Sequence, residues 1–457
     1  MRQDTLASRP GGASVAVMTL TEILPTLRSS LPAHLEAGVW PVTARWGDGG
    51  DLQVGGVSLA AVAAEHGTPA FVVDEADVRG RCRDYAAAFG AADVAYTGKA
   101  LLSIDVARWV AAEGLGLYAG SAGEVRVAAL AGFDMSRVVL YGSAKTPEDL
   151  DTAYAAGVGT VVVESLGEIA RIAATAPAGQ RVLVRVLAGP EPAGGHDRRF
   201  GLRVAGGEAA AAVARIAAQP GLRLAGFDCS IGHQLNRFSL YEQEIRRLCA
   251  FAAEMRRAHG IEPEQINLGG GHAVAYRPAE LGLALEAFAT RMRGVLRLEA
   301  GRHGMPAPRL TVSPGRAVVA RAGVTVYRVL AVTRTPDGDR LVAVDGGMSD
   351  CPATALCGSR HSAVLVGRAG RAIAGPAVVV GRHNDADDVV VPDAELPADV
   401  HPGDLLAVAG TGAYHHARAT NFHLVARPAL VAVADGRARA LVRRESLDDV
   451  LARDLGR

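Results

Sequence analysis

The sequence predicts an α/β protein of two domains, a (β/α)8 TIM-like barrel and a second, mainly antiparallel β domain. With 457 residues, 49% of them apolar, the chain can bury more than one hydrophobic core. From about residue 93, short β-branched runs alternate with Ala-rich amphipathic stretches, which is typical of repeated βα units. After Arg316, β-rich runs bounded by Gly, Pro and Asp follow one another without long helices, as in an antiparallel sheet.

The barrel is predicted from eight short apolar strands. The first five begin roughly 22 residues apart, about the length of one βα unit, and strands that alternate with helices form parallel sheets. Eight such units close into a barrel. The predicted strands are residues 93–97, 116–119, 137–142, 160–165, 181–187, 223–229, 265–270 and 309–313.

These patterns divide the chain into four segments. Residues 1–35 are an N-terminal extension without a clear pattern. Residues 36–75 contain the hairpin-like turn sequence DGG at 48–50, so we expect them to add strands to the β domain. Residues 76–315 form the predicted barrel, and residues 316–457 form the C-terminal β domain.

The composition favours a small-molecule partner. The chain has 48 basic and 48 acidic residues and no basic run, so we expect neither nucleic acid nor a membrane as a partner. Five cysteines, an odd number without a CxxC pair, are typical of reduced thiols and predict a cytoplasmic protein. No segment approaches the roughly twenty apolar residues of a membrane-spanning helix.

Three features at the predicted carboxyl-terminal face of the barrel indicate a cofactor site, because catalytic residues of barrels follow the strands there. Lys99 follows the first strand. The glycine run at 269–271 ends the seventh, and its backbone N–H groups can approach a phosphate. Arg316 follows the eighth, where barrels often bind phosphate. An amine and a phosphate site on one face indicate pyridoxal phosphate, held as a Schiff base.

A series of short motifs resembles the fold-type III pyridoxal-phosphate-dependent decarboxylases, and among them the diaminopimelate decarboxylase family. The resemblance extends from about Gly55 to Arg444. It implies a carboxy-lyase with an alanine-racemase-like fold, a barrel joined to a β domain. The motifs are GTPAFVVDE (67–75), YTGKA (96–100), SAGEVRVAALAGF (121–133), YGSAKTPEDL (141–150), RRFGLR (198–203), IGHQ (231–234), LGGG (268–271), SPGR (313–316), VDGGMSD (344–350), HPGDLL (401–406) and GAYHHARATNF (412–422).

The resemblance assigns roles to individual residues. It implies that Lys99 holds pyridoxal 5'-phosphate as a Schiff base, that Tyr414 reaches the cofactor and substrate, and that Arg316 binds phosphate or substrate. It also implies a homodimer whose active sites are shared between subunits. The residues implied to bind the phosphate are Gly269, Gly270, Gly271 and Gly315.

Three cofactor-binding positions differ from the family pattern. Ser313 replaces the acidic residue that pairs with the protonated pyridine nitrogen, and a hydroxyl tolerates a neutral ring that stabilises a carbanion less. Ser230 replaces the histidine that stacks on the ring, and His233 replaces a serine that contacts the phosphate. Because the two positions are three apart in the chain, we do not expect His233 to take over the stacking.

The substrate and proton-donor positions differ as well. Ala353 and Cys357 replace an arginine and a tyrosine that recognise the distal end of diaminopimelate, so the fork for a distal carboxylate is missing. Asn384 replaces a thiol proton donor, and an amide cannot act as an acid. We expect His383 or Asp385 to donate the proton, with Asp385 matching a substrate-binding glutamate; alternatively, HNDADD (383–388) is an Asp-rich surface turn. No metal site is predicted.

These departures predict a decarboxylase that acts on an amino acid or amino-acid conjugate other than diaminopimelate, in specialised metabolism. Two alternatives stay open. A neutral ring opposite Ser313 also suits β-elimination, β-replacement or racemisation. A degenerate homologue without turnover is the other alternative, and the retention of Lys99, the glycine run, Arg316 and Tyr414 argues against it.

Overall fold

The chain enters the fold through short strands that precede the barrel. The computed structural model describes residues 35–189, 201–368 and 374–456, so the predicted extension lies outside the described residues apart from its last one. Three short antiparallel strands form a small sheet, and a fourth strand joins the large sheet of the β domain. These elements are β1 (Arg45–Trp46), β2 (Leu52–Val54), β3 (Val57–Ser58), α1 (Leu59–His66) and β4 (Ala70–Asp74).

The predicted barrel is confirmed as eight parallel strands that neighbour one another in chain order, with one short extra strand at the side. Its strands are β5 (Ala95–Thr97), β6 (Gly116–Ala119), β7 (Val138–Leu140), β8 (Thr160–Val163), β9 (Gln180–Leu187), the extra strand β10 (Leu202–Arg203), β11 (Leu222–Asp228), β12 (Gln265–Asn267) and β13 (Arg309–Thr311). Its helices are α2 (Glu75–Phe89), α3 (Ile104–Ala112), α4 (Ala122–Leu130), α5 (Pro147–Ala156), α6 (Leu166–Thr175), α7 (Glu208–Ala217), α8 (Phe238–His259), α9 (Leu285–Arg302) and α10 (Arg316–Val319).

The two ends of the barrel sheet approach each other just before β5 and after β13. Val94 forms a parallel bridge with Val312. The Ala95 N–H donates to the Val312 carbonyl at 3.0 Å, and the Val312 N–H donates to the Asp93 carbonyl at 3.0 Å. The segments that follow the first and last strands therefore lie side by side at the carboxyl-terminal face.

Hydroxyl caps turn the chain from strand to helix at this face. The Ser103, Ser121 and Ser165 side chains each accept a hydrogen bond from the backbone N–H three residues later. Thr146 forms a capping box with Asp149. Such caps satisfy backbone donors at the helix start, so each helix begins within a few residues of its strand.

The second domain is mainly antiparallel, as predicted. Strand β4, which precedes the barrel in the chain, pairs with β14 and β20 in the middle of this sheet. The elements after the barrel are β14 (Gly323–Arg334), β15 (Arg340–Val344), α11 (Pro352–Cys357), β16 (Ala363–Val366), β17 (Ala374–Val380), β18 (Val389–Pro397), β19 (Leu405–Ala409), β20 (Ala429–Ala434), β21 (Arg437–Val442) and α12 (Leu447–Leu451).

All five cysteines lie in the described part of the chain. The cysteine side chains are all unpaired, four of them buried and Cys357 exposed. Among the helices that the structure describes, none combines the length and the apolar character needed to cross a lipid bilayer.

Candidate active site

Lys99 lies in a cavity at the carboxyl-terminal face of the barrel. It belongs to the short 3-10 turn Gly98–Ala100 that follows β5, and its cavity of about 550 Å³ is also lined by Glu124, Tyr414 and Arg418. Burial by the cavity walls, and next the charge of Arg185, lower the pKa of the Lys99 amine. A lower pKa leaves more of the amine in its unprotonated, nucleophilic form near neutral pH.

The two lysines of this chain have very different surroundings. Lys99 and Lys145 are the only lysines in the 457 residues. The Lys145 side chain is 1% exposed and forms an ion pair with Glu168, whose side chain is also 1% exposed. Lys99 is therefore the one lysine whose amine is accessible for covalent attachment of a cofactor.

Tyr414 is held beside the Lys99 turn by its backbone. Its φ of 65° is in the left-handed region, which is unusual for a residue with a bulky side chain. Its N–H donates to the Ala100 carbonyl at 2.8 Å. The guanidinium carbons of Arg316 and Arg418 lie 4.9 Å and 5.0 Å from the centre of the Tyr414 ring. The Tyr414 ring thus contacts two cations, of which Arg418 lines the cavity.

The glycine run after β12 packs backbone against backbone with the neighbouring loops. Gly269 and Gly271 have φ values of +74° and +77°. A Cβ atom at Gly271 would lie 2.0 Å from the Gly232 carbonyl oxygen, and one at Gly270 would lie 2.6 Å from that of Ser313. This crowded loop suits a phosphate, because side chains are excluded and backbone N–H groups can approach the anion.

We expect Gly271→Ala to weaken cofactor binding at least about tenfold. The new Cβ would meet the Gly232 carbonyl in a backbone conformation that alanine rarely adopts, a strain of roughly 1–3 kcal/mol. Titration of the cofactor-free protein with pyridoxal phosphate measures the change. Gly294→Ala is the matched control, because Gly294 lies in α9 with nothing within 4 Å of its added Cβ. Equal affinity of both variants would contradict a role of this loop in phosphate binding.

The other predicted cofactor-binding residues surround this loop. Gly315 packs against the Lys99 turn, because a Cβ there would lie 3.2 Å from the Ala100 Cβ. Ser313 is 8% exposed, and its hydroxyl accepts a hydrogen bond from Asn267 at 3.4 Å. Ser230 is partly buried and His233 is exposed, both on the loop after β11. Their contacts with the cofactor stay predictions.

His383 and Asp385 do not line the cavity of Lys99 in the same chain. His383 is buried in the β domain, with its Nε2 2.9 Å from the Ser349 hydroxyl. Asp385 is exposed and accepts a hydrogen bond from the Asp387 N–H at 2.9 Å, which closes a turn. Asp388 accepts bonds from the Met348 and His383 N–H groups, so its role in this segment is structural.

The sequence interpretation missed a group of charged side chains inside the barrel mouth. Arg185 lies between Glu164 and Asp228, with its nitrogens 3.0 Å from a carboxylate oxygen of each. We call these three residues the barrel-mouth charge cluster. Each residue stands at or near the carboxyl end of a strand, where the catalytic residues of barrel enzymes lie, as Lys99 does.

A second cavity of about 260 Å³ opens at the opposite, amino-terminal end of the barrel. Its three arginines already have partners: Arg181 pairs with Glu264, Arg309 pairs with Asp93, and Arg137 donates to the Ala91 carbonyl at 3.2 Å. Because barrel enzymes bind substrate at the carboxyl-terminal face, we assign the chemistry to the cavity of Lys99.

Comparison with known proteins adds three findings. The family model described as "Pyridoxal-dependent decarboxylase, pyridoxal binding domain" matches residues 75–320. A diaminopimelate decarboxylase from Actinosynnema pretiosum subsp. auranticum is 48% identical over 447 residues, which cover 96% of this chain and 100% of that protein. One from Staphylococcus aureus is 32% identical, over 90% of this chain and 100% of that protein.

Solved structures show the same architecture. The crystal structure of diaminopimelate decarboxylase from M. jannaschii in complex with L-lysine matches with a TM-score of 0.83 and 26% identity. The match covers 90% of this chain and 98% of that structure.

Proposed function

The chain belongs to the pyridoxal-dependent decarboxylase family, so it is a pyridoxal-phosphate-dependent carboxy-lyase, and we propose that its substrate is diaminopimelate. The observation that carries the proposal is the 48% identity to a diaminopimelate decarboxylase over nearly the whole of both chains. The M. bovis diaminopimelate decarboxylase, 40% identical over 92% of this chain, supports the same substrate.

The prediction of a substrate other than diaminopimelate is therefore wrong. It rested on Ala353 and Cys357, but the relatives similar over the full length are named diaminopimelate decarboxylases. The physical reason is that any suitably placed cation can bind the distal carboxylate. The loss of one arginine therefore does not exclude the substrate. The predicted role in specialised metabolism is not supported by these relatives. Membership of a decarboxylase family likewise argues against elimination, racemisation and a homologue without turnover.

The proposed reaction removes one carboxylate as carbon dioxide and adds a proton to the same carbon. Bound pyridoxal phosphate supplies the ring that accepts the electrons left on that carbon. The Lys99 amine would provide the covalent attachment. The N–H groups of Gly270 and Gly271 would hold the phosphate, because the Gly269 N–H already donates to Asn267 Oδ1. Tyr414 orients the substrate from the rim of the cavity, and Arg316, which contacts the Tyr414 ring, is fixed by a 2.7 Å hydrogen bond to the Tyr276 hydroxyl.

Arg418 is the side chain that we propose binds the distal carboxylate of diaminopimelate. It is exposed at the mouth of the cavity that contains Lys99. Among the described residues, no hydrogen bond or ion pair engages its guanidinium group, which only stacks on Tyr414. Arg427 lines the same cavity, but its guanidinium pairs with Glu445 at 2.7 Å. The unengaged Arg418 fork suits a carboxylate.

We expect Arg418→Leu to raise the KM for diaminopimelate about 10- to 100-fold and to change kcat less. A charge-assisted hydrogen bond contributes roughly 1.5–3 kcal/mol, and this contact lies far from the reacting carbon. Steady-state kinetics measures the change, and Arg427→Leu is the control from the same cavity. If both variants raised KM equally, the assignment to Arg418 would be refuted.

We also propose a homodimer in which each site is completed by the second subunit. The resemblance supports this proposal, as does the absence of His383 and Asp385 from the lining of the Lys99 cavity in their own chain. Asp385 is exposed and His383 is buried, so Asp385 would reach a neighbouring site with less rearrangement. Which of the two donates the proton stays open.

Unpaired cysteines support the proposed cytoplasmic location.

The proposed substrate is tested by incubating the purified protein with diaminopimelate and pyridoxal phosphate. We expect carbon dioxide and lysine to form in equal amounts, since removal of one carboxylate from diaminopimelate leaves lysine. A panel of other amino acids serves as the control. No carbon dioxide from diaminopimelate, or faster release from another amino acid, would refute the proposed substrate.

A further inference from the structure

The barrel-mouth charge cluster contains more negative than positive charge in a buried site. Glu164 is 6% exposed and Asp228 is 1% exposed, with the Arg185 guanidinium between them. Arginine stays protonated and balances one ionised carboxylate. Burial raises the pKa of Asp228, so its ionised form needs a further cation. An uncompensated buried charge is costly, and this predicts that a cationic group of a ligand completes the cluster.

Two carboxylate oxygens of the cluster lack a hydrogen-bond donor. Among the described residues, none donates to Glu164 Oε2 or to Asp228 Oδ2. Asp228 Oδ2 lies 3.0 Å from Arg185 Nε, but without the geometry of a hydrogen bond. Buried carboxylate oxygens are usually satisfied, so these two point to a missing partner.

Lys99 and Arg185 of the cluster both lie near the Tyr141 ring. The Lys99 amine and the Arg185 guanidinium carbon lie 5.7 Å and 6.0 Å from the centre of the Tyr141 ring. Arg185 is also the charged group that contributes most to the lowered pKa of Lys99. A cofactor ring attached to Lys99 would therefore be within reach of the cluster.

Asn267 connects Asp228 to the glycine run and to Ser313. Its Nδ2 donates to Asp228 Oδ1 at 2.7 Å and lies 3.4 Å from the Ser313 hydroxyl. Its Oδ1 accepts from the Gly269 N–H at 2.8 Å. The Tyr118 hydroxyl also donates to Asp228 Oδ1, at 3.1 Å. Asp228 is thus held next to the position from which an acidic residue at 313 would act.

We propose that Asp228 binds the protonated ring nitrogen of pyridoxal phosphate and so supplies the negative charge that Ser313 lacks. Asn267 and Tyr118 orient one oxygen of the carboxylate, which leaves Oδ2 for the ring nitrogen. The ring would then remain a strong electron acceptor, as decarboxylation requires. The inference rests on the cofactor and on its proposed attachment to Lys99, and it is independent of the substrate.

The test is 15N NMR of the holoenzyme loaded with pyridoxal phosphate that carries 15N at the ring nitrogen, whose chemical shift reports protonation. We expect a protonated nitrogen in the wild type and in Ser313→Ala, and a neutral one in Asp228→Asn. We also expect Asp228→Asn to lower decarboxylation about 100-fold or more. Asparagine retains the shape of aspartate and removes only its charge.

A neutral ring nitrogen in the wild type would by itself overturn the proposal. The test therefore does not depend on correct folding of the Asp228→Asn variant. A protonated nitrogen in Asp228→Asn, or a neutral one in Ser313→Ala, would also overturn it. If the wild-type nitrogen is protonated through Asp228 but diaminopimelate is not decarboxylated, the proposal holds and the proposed substrate fails.

Discussion

Lys99→Ala is expected to abolish covalent attachment of pyridoxal phosphate and to lower decarboxylation by at least about 10³-fold. The alanine variant has no amine in the cavity, and the remaining lysine, Lys145, is buried in an ion pair with Glu168. Visible absorbance of the purified protein measures the attached cofactor. Reduction with borohydride followed by peptide mass spectrometry identifies the modified residue, which is simple in a chain with two lysines.

The glycine run and Arg316 are retained in this variant, so it is expected still to bind the cofactor without a covalent bond. Dialysis should then remove the cofactor from Lys99→Ala and not from the wild type. Modification of Lys145, or visible absorbance that survives dialysis of the variant, would contradict the assignment of Lys99.

Lys145→Met is expected to destabilise the fold by about 3–5 kcal/mol, because it leaves the Glu168 carboxylate buried without its cation. The Lys145 amine donates to Glu168 Oε1 at 2.8 Å and to the carbonyls of Gly142 and Val162. The other Glu168 oxygen accepts a hydrogen bond from the Glu164 N–H at 2.8 Å. The ion pair therefore also holds the backbone of Glu164, a member of the barrel-mouth charge cluster. Urea unfolding of the cofactor-free protein measures the loss.

The double variant Lys145→Met, Glu168→Gln separates charge from packing. It removes both charges and keeps a side-chain oxygen for the Glu164 N–H, so we expect part of the lost stability to return. Arg360→Met is the control for an exposed pair, with Asp393, and should shift the midpoint little. A double variant no more stable than Lys145→Met would show that burial of the lone charge is not the cause.

The ends of the barrel strands were not predicted by the local sequence pattern. The predicted strand 265–270 ends at Asn267 in the structure, because Gly269 and Gly271 adopt left-handed backbone conformations. The predicted strand 137–142 is likewise shortened to Val138–Leu140. Alternating apolar residues report which side of a strand is buried, but loop contacts decide where hydrogen-bonded pairing ends.

The sequence by itself determined the barrel, the β domain, the cofactor and Lys99 at a strand end, because periodicity and the order of motifs are local properties. Only the tertiary structure showed that Arg185 pairs with both Glu164 and Asp228. It also showed that Arg418 lines the cavity of Lys99, whereas His383 does not. Those relations depend on contacts between strands and loops far apart in the chain. A residue that departs from the family motif therefore shows which contact is lost. The fold is needed to find other residues that are placed to make that contact.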